Sequence, residues 1–209
     1  MVARSLDSYG RQTGAGPLMP TVFTHAVVPV AVGLGLGRER IPARLLALGV
    51  AASVIPDLDS IAFRLGIPYQ VTLGHRGVTH SLVFAVGLAL LGACAFRQLR
   101  TGFGRAFWFL LLAAASHGLL DAFTTGGYGI ALLWPWSTHR YVGPLQVIEV
   151  APLSFDRLLS PRGATVLASE LQWVWLPCAL GLAGVRRYLG SRVASGGRRQ
   201  TQQATLSRE

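Results

Sequence analysis

Apolar residues gather into five runs along the chain, separated by short polar stretches. They cover Thr21 to Gly37, Ala43 to about Ile61, Val78 to Phe96, Ala106 to Thr125, and roughly Leu171 to Leu189. None alternates with the period of a half-buried strand, and each approaches the roughly 20 residues a helix needs to cross a bilayer core. The shorter ones leave room for tilt or partial insertion. The last run is interrupted by Pro177. Between the fourth and fifth runs, residues 126–164 hold only brief apolar pieces, such as YGIALLWPW and PLQVIEVAPL. Trp134, Trp136 and Tyr141 there suit a membrane interface, so this connection is expected to fold back over one end of a bundle.

The flanks differ. Residues 1–18 are polar and glycine-rich and read as a flexible tail, with Met19 a second candidate start; residues 191–209 read as a disordered tail. The body, 19–190, is expected to be one membrane-embedded domain. The fold class is therefore all-α: a polytopic membrane helical bundle with about five apolar helices.

Composition agrees with that pattern. Of 209 residues, 51% are apolar and only 13% charged, against about a quarter charged in a soluble domain. That argues against an ordinary cytosolic enzyme and against disordered or disulfide-rich classes. The net charge is +10, and all 19 basic residues are arginine. Because they cluster between apolar runs, they read as loop anchors, and nucleic acid is not an expected partner. With five crossings, 7 arginines fall on the side of the amino end and 12 on the other. The positive-inside rule then places the amino terminus outside and the carboxyl terminus in the cytoplasm. Cys94 and Cys178 lie inside apolar runs and read as small packing residues.

The candidate chemistry sits at one end of this bundle. His25 opens the first run, Asp57 and Asp59 (in PDLD) close the second, His75 and His80 (in HRGVTHS) open the third, and His117 and Asp121 lie late in the fourth. In an up-and-down arrangement these starts and ends coincide, outside the cytoplasm. His117 and Asp121, four apart, share a helix face. Asp57 and Asp59, two apart, do not, which suggests separate jobs such as bridging an ion and orienting a histidine. Taken singly, His25 reads as a hydrogen-bonded packing residue, PDLD as a helix-ending turn, and HxxxD as chance. Together they bring four of five histidines and three of nine acids to one place, and ionisable groups in membrane helices are costly enough to be functional by default. Imidazole and carboxylate without thiolate suit zinc, manganese or iron(II). The number of ligands is enough for two divalent ions. Arg76 reads either as a phosphate clamp or as an interface anchor. His139 reads as a loop residue, and Glu149 and Glu170 have no assigned role.

The order FTH, PDxD, HRGxTHS, HxxxD and a WPWS-type turn resembles the YdjM-like family of bacterial inner-membrane, metal-dependent hydrolases, whose first described member is regulated by LexA. The resemblance runs from about Met19 to Tyr141. It implies His25, Asp57, Asp59, His75, His80, His117 and Asp121 as the metal-binding set. A more distant likeness, carried by His25, Asp57, His80, His117 and Asp121, is to zinc-dependent phospholipase C and the single-strand nucleases. Those enzymes have a further histidine and a second HxxxD/E motif, which this chain lacks.

The reading that results is an integral membrane metal-dependent hydrolase acting on an ester at the extracytoplasmic face. A phosphodiester or membrane phospholipid is the favoured substrate, with Asp57 as general base or bridging ligand. A divalent-metal transporter or metal-sensing membrane protein using the same cluster is the alternative; a transporter would place its site near the bilayer midplane.

Overall fold

The computed structural model describes residues 18–19, 21–152 and 160–206. Among these the chain is helical. Extended pairing is confined to a two-residue antiparallel contact, Leu18–Met19 against Ala151–Pro152, and two isolated bridges. Residues 1–17 of the expected amino-terminal tail lie outside the described residues.

Helix α1 spans Val22–Leu36, α2 Ala43–Val54, a short α3 Ile61–Arg64, α4 Leu82–Ala93, α5 Phe103–Ala122, α6 Pro161–Glu170 and α7 Leu176–Leu206. Helix α5 packs between α4 and α2, while α1 joins α2 to α7. Small residues make the close approach possible. Ala85, Ala89 and Ala93 give α4 a buried stripe at a spacing of four, and Ala106, Ala113 and Ala114 are buried on α5. A Cβ on Gly49 would stand 2.4 Å from Phe109 Cε1, and one on Gly92 2.6 Å from Leu110 Cδ1. The apolar core (Ile41, Leu45, Leu99, Ala106, Phe109 and Leu110 among its members) lies where α2 and α5 begin. The histidines and aspartates lie where those helices end.

Among the described residues, two helices are long and apolar enough to cross a membrane: α5, and the continuous stretch Pro161–Ser191. Phe23–Leu36 and Leu82–Ala93 are apolar but shorter. The apolar runs outlast their helices for local reasons. The second run gives way to a 3-10 turn, Ile55–Ser60, around Pro56. The third spends Val78–His80 on another 3-10 turn before Ser81 caps α4 by accepting the Phe84 N–H at 3.1 Å.

The last apolar run is not broken at Pro177. Residues Leu171–Trp175 form a wide π turn between α6 and α7, just ahead of the proline. Such a turn accommodates the ring and the missing donor without ending the helix. The helix also starts earlier than expected, at Pro161, and continues to Leu206 through the stretch expected to be a disordered tail. Arginine, glutamine and alanine there are good helix formers, which offsets the glycines.

The connection from residue 126 does fold over the end of the bundle. Ala131 N–H donates to Arg76 O at 3.0 Å, Leu82 N–H to Leu132 O at 3.0 Å, and Gly143 N–H to Ala122 O at 2.7 Å.

Candidate metal centre

Three elements deliver one buried group of four residues. Asp57 comes from the 3-10 turn after α2, His80 from the turn before α4, and His117 and Asp121 from successive turns of α5. One ligand atom from each lies within 4.8 Å of all the others, and all four residues are buried. His80 Nε2 is 3.0 Å from His117 Nε2 and 2.9 Å from Asp121 Oδ2. His117 Nε2 is 3.5 Å from Asp57 Oδ1 and 3.8 Å from Asp121 Oδ2. Ligands at about 2.0–2.2 Å from one zinc ion stand roughly 3.0–3.6 Å apart. These separations are of that size, so the group can hold a metal ion.

His25 adds a second side. Its Nε2 is 3.8 Å from Asp57 Oδ2 and 3.7 Å from Asp121 Oδ1, the oxygens turned away from His80 and His117. Its ring stacks on His117 with centroids 3.9 Å apart. Both ring nitrogens of His25 and both carboxyl oxygens of Asp57 are buried without a well-formed hydrogen bond. Buried polar atoms left this way are rare and call for a reason. Their chemistry is that of groups able to ligate a cation.

The surrounding contacts fix how the rings face. The Ser53 carbonyl can only accept, so its 2.7 Å contact with His117 Nδ1 places the proton there and leaves Nε2 directed at the group. Asp59 does the same from behind. It meets His75 Nδ1 at 2.5 Å and His80 Nδ1 at 3.3 Å, and accepts from the Thr79 hydroxyl and from the Arg76 N–H at 3.1 Å. Burial alone would raise the Asp59 carboxyl, but the hydrogen bonds from His75 and His80 hold it below its ordinary range. Thus of the seven expected ligands, five converge (His25, Asp57, His80, His117 and Asp121). Asp59 and His75 stand one layer out.

Arg76, which the sequence reads either as a phosphate clamp or as an interface anchor, is turned into the protein. It is 1% exposed, with the left-handed φ of 58°. Its Nε is 3.1 Å from Asp121 Oδ2 and its Nη2 donates to Asp121 Oδ1 at 3.3 Å. Nη1 donates to Thr124 Oγ1 at 3.0 Å, Gly126 O at 2.9 Å and Asp121 O at 3.3 Å. The guanidinium is committed to holding Asp121 and the loop beyond it. Burial would lower its pKa, yet the adjacent Asp121 carboxylate keeps it above its ordinary value.

Arg140 was given no role by the sequence. It donates to the carbonyls of His75, Arg76, Gly129, Tyr69 and Val71 and lies over the Tyr69 ring, tying the covering loop to the HRGVTHS segment. Carbonyl partners leave no trace in a side-chain motif. His139 is exposed, with its ring against Tyr141, and does not reach the cluster. Glu149 pairs with Arg162 at 2.8 Å. Glu170 is fully buried and accepts from Thr21 N–H at 2.6 Å and Thr21 Oγ1 at 2.7 Å, fastening the start of α1, four residues before His25.

Comparison with known proteins finds similarity to inner-membrane proteins. The profile of a family described as YdjM inner membrane protein matches residues 19–193. Inner membrane protein YbcI of Escherichia coli (strain K12) is 51% identical over 162 residues, which is 76% of this chain and 92% of that relative. No solved structure matches.

Proposed function

Because the chain belongs to the YdjM inner membrane protein family, we propose that it is a metal-dependent hydrolase whose site lies at the extracytoplasmic end of a five-span bundle. The proposed substrate is an ester, with phosphodiesters and phospholipids favoured. The observation that carries the reading is the convergence of buried, underpaired imidazole nitrogens and carboxylate oxygens at ligand-to-ligand distances.

The two faces of Asp57 and Asp121 support two ions. One oxygen of each lies nearer the His80–His117 side and the other nearer His25, so these residues would hold two ions between them. Zinc fits the donor set, with manganese or iron as the other candidates. Ions bound there would supply Lewis acidity and lower the pKa of a water toward about 7. Asp57 is proposed either as a ligand shared by the ions or, with one buried oxygen left free, as the general base for the attacking water. Asp59 and the Ser53 carbonyl hold His80 and His117 in orientation, and Arg76 holds Asp121.

Depth favours this over a transporter. His117 and Asp121 lie in the last two turns of α5, within about 8 Å of its end at 1.5 Å per residue rather than at its middle. The test is hydrolysis of bis(p-nitrophenyl) phosphate and of a short-chain phosphatidylcholine by the protein reconstituted in nanodiscs and loaded with zinc or manganese. Metal-dependent turnover that disappears in Asp57→Asn supports the reading. Metal bound without turnover of either ester, together with ion flux into vesicles, overturns it in favour of transport.

A further inference from the structure

The segment that supplies Asp57 and Asp59 presents a different surface on its other side. Leu58, Ile61 and Leu65 are 68%, 58% and 67% exposed, and their spacing of three and four puts them in one stripe. Pro56, Asp57 and Ala62, between and around them, are buried. The loop that continues this segment carries Leu73, 73% exposed, two residues before His75. Large apolar side chains exposed together mark a surface that something covers.

The membrane is what the rest of the molecule places there. This is an inner-membrane family, and α5, 20 residues long, is about 30 Å from end to end, the thickness of the hydrocarbon core. The turn carrying Leu58 packs against the end of α5 that bears Asp121, so it lies at the boundary of the acyl layer rather than out in the water. Asp59, which would oppose insertion, is turned inward onto His75 and His80.

We infer that Leu58, Ile61, Leu65 and Leu73 form a ridge seated in the acyl layer, and that this seating holds the buried His/Asp cluster level with the lipid headgroups. The ligand the cluster meets is then a membrane phospholipid headgroup arriving in the plane of the bilayer. What the cluster does to that headgroup rests on the hydrolase reading, whereas the seating does not.

The test is site-directed spin labelling of the full chain in phospholipid nanodiscs. With Cys94→Ser and Cys178→Ala as background, a nitroxide is placed in turn at 58, 61, 65, 73 and, as a reference, exposed Gln70. Collision with oxygen against a nickel chelate is then measured. Four separate exposed positions keep the outcome readable if one variant is not monodisperse. The inference expects the four ridge labels to favour oxygen, at depths of the upper acyl carbons, and the label at 70 to favour nickel. Nickel-favoured labels at 58 and 65 would overturn it, placing the ridge in water. Labels shielded from both probes would also overturn it, pointing to a second protein copy on the ridge. The labels report the seating whether or not any ester is turned over.

Discussion

His80 Nε2 and His117 Nε2 face each other across 3.0 Å in a buried pocket. The Ser53 carbonyl fixes the proton of His117 on Nδ1, and Asp59 and Thr79 engage Nδ1 of His80. Two lone pairs so directed repel unless something positive lies between them. Either one ring keeps a second proton for its neighbour, or a cation takes both. The oxygens of Asp57 and Asp121 around the same point make the cation the better-satisfied arrangement.

Asp57 and Asp59 are two residues apart and are expected to fail differently. Asp57→Asn removes an oxygen directed at the ion and should abolish tight binding. Asp59→Asn loosens the rings of His75 and His80 while leaving the ligands in place, so affinity should fall about 10–100-fold without being lost. Competition against a chromophoric zinc chelator separates the two, and equal loss in both variants would contradict the layering.

Arg76→Lys should not behave as a conservative change. Lysine cannot reproduce the fork on Asp121 together with the bonds to Thr124 and Gly126. Arg76→Met would strip the buried Asp121 carboxylate of its guanidinium and leave only the histidines beside it, at a cost of up to about 3–5 kcal/mol. Thermal unfolding followed by size-exclusion should show both variants less stable than the parent. If Arg76 were instead a substrate clamp, stability would be unchanged and only turnover would fall.

Gly118 offers a test of geometry without touching a ligand. A Cβ there would stand 2.9 Å from the His80 carbonyl oxygen, which is backbone and cannot swing aside. Gly118→Ala should push the 3-10 turn carrying His80 away from α5, cost about 1–3 kcal/mol, and weaken metal binding. Gly181→Ala, on α7 with open space around it, serves as the control: it should leave metal binding unchanged and, as a helical Gly→Ala change, cost no stability.

Glu170 makes the opposite prediction. Glu170→Gln weakens the carboxyl contacts to Thr21 N–H and Oγ1 and should cost about 1–3 kcal/mol of stability. Metal content should be retained, because no atom of Glu170 belongs to the cluster. Unfolding curves beside elemental analysis check both halves.

The sequence carried the meeting of His25, Asp57, His80, His117 and Asp121 because two things it records directly, helix count and motif position, decide which ends coincide. It also carried the separation of Asp57 from Asp59, because residues two apart point to different sides of the 3-10 turn they occupy, as they would on an α-helix. The role of Arg76 was not legible. A guanidinium beside a histidine motif looks the same whether its donors reach a substrate or the chain's own carbonyls. Nor was the bridging of Pro177, since whether a proline ends a helix depends on the turn before it. The short lengths of α2 and α4 have the same origin: Pro56 and the turn at Val78–His80 use apolar residues in 3-10 geometry that hydropathy counts as helix.

The most direct test is the metal content of the purified protein by elemental mass spectrometry, beside His80→Ala and Asp121→Ala. The account predicts about two equivalents of zinc or manganese per chain, lost in both variants while each remains monodisperse. A parent protein that holds no divalent metal even after reloading would contradict it, and the cluster would then be a buried polar network with no ion to organise it.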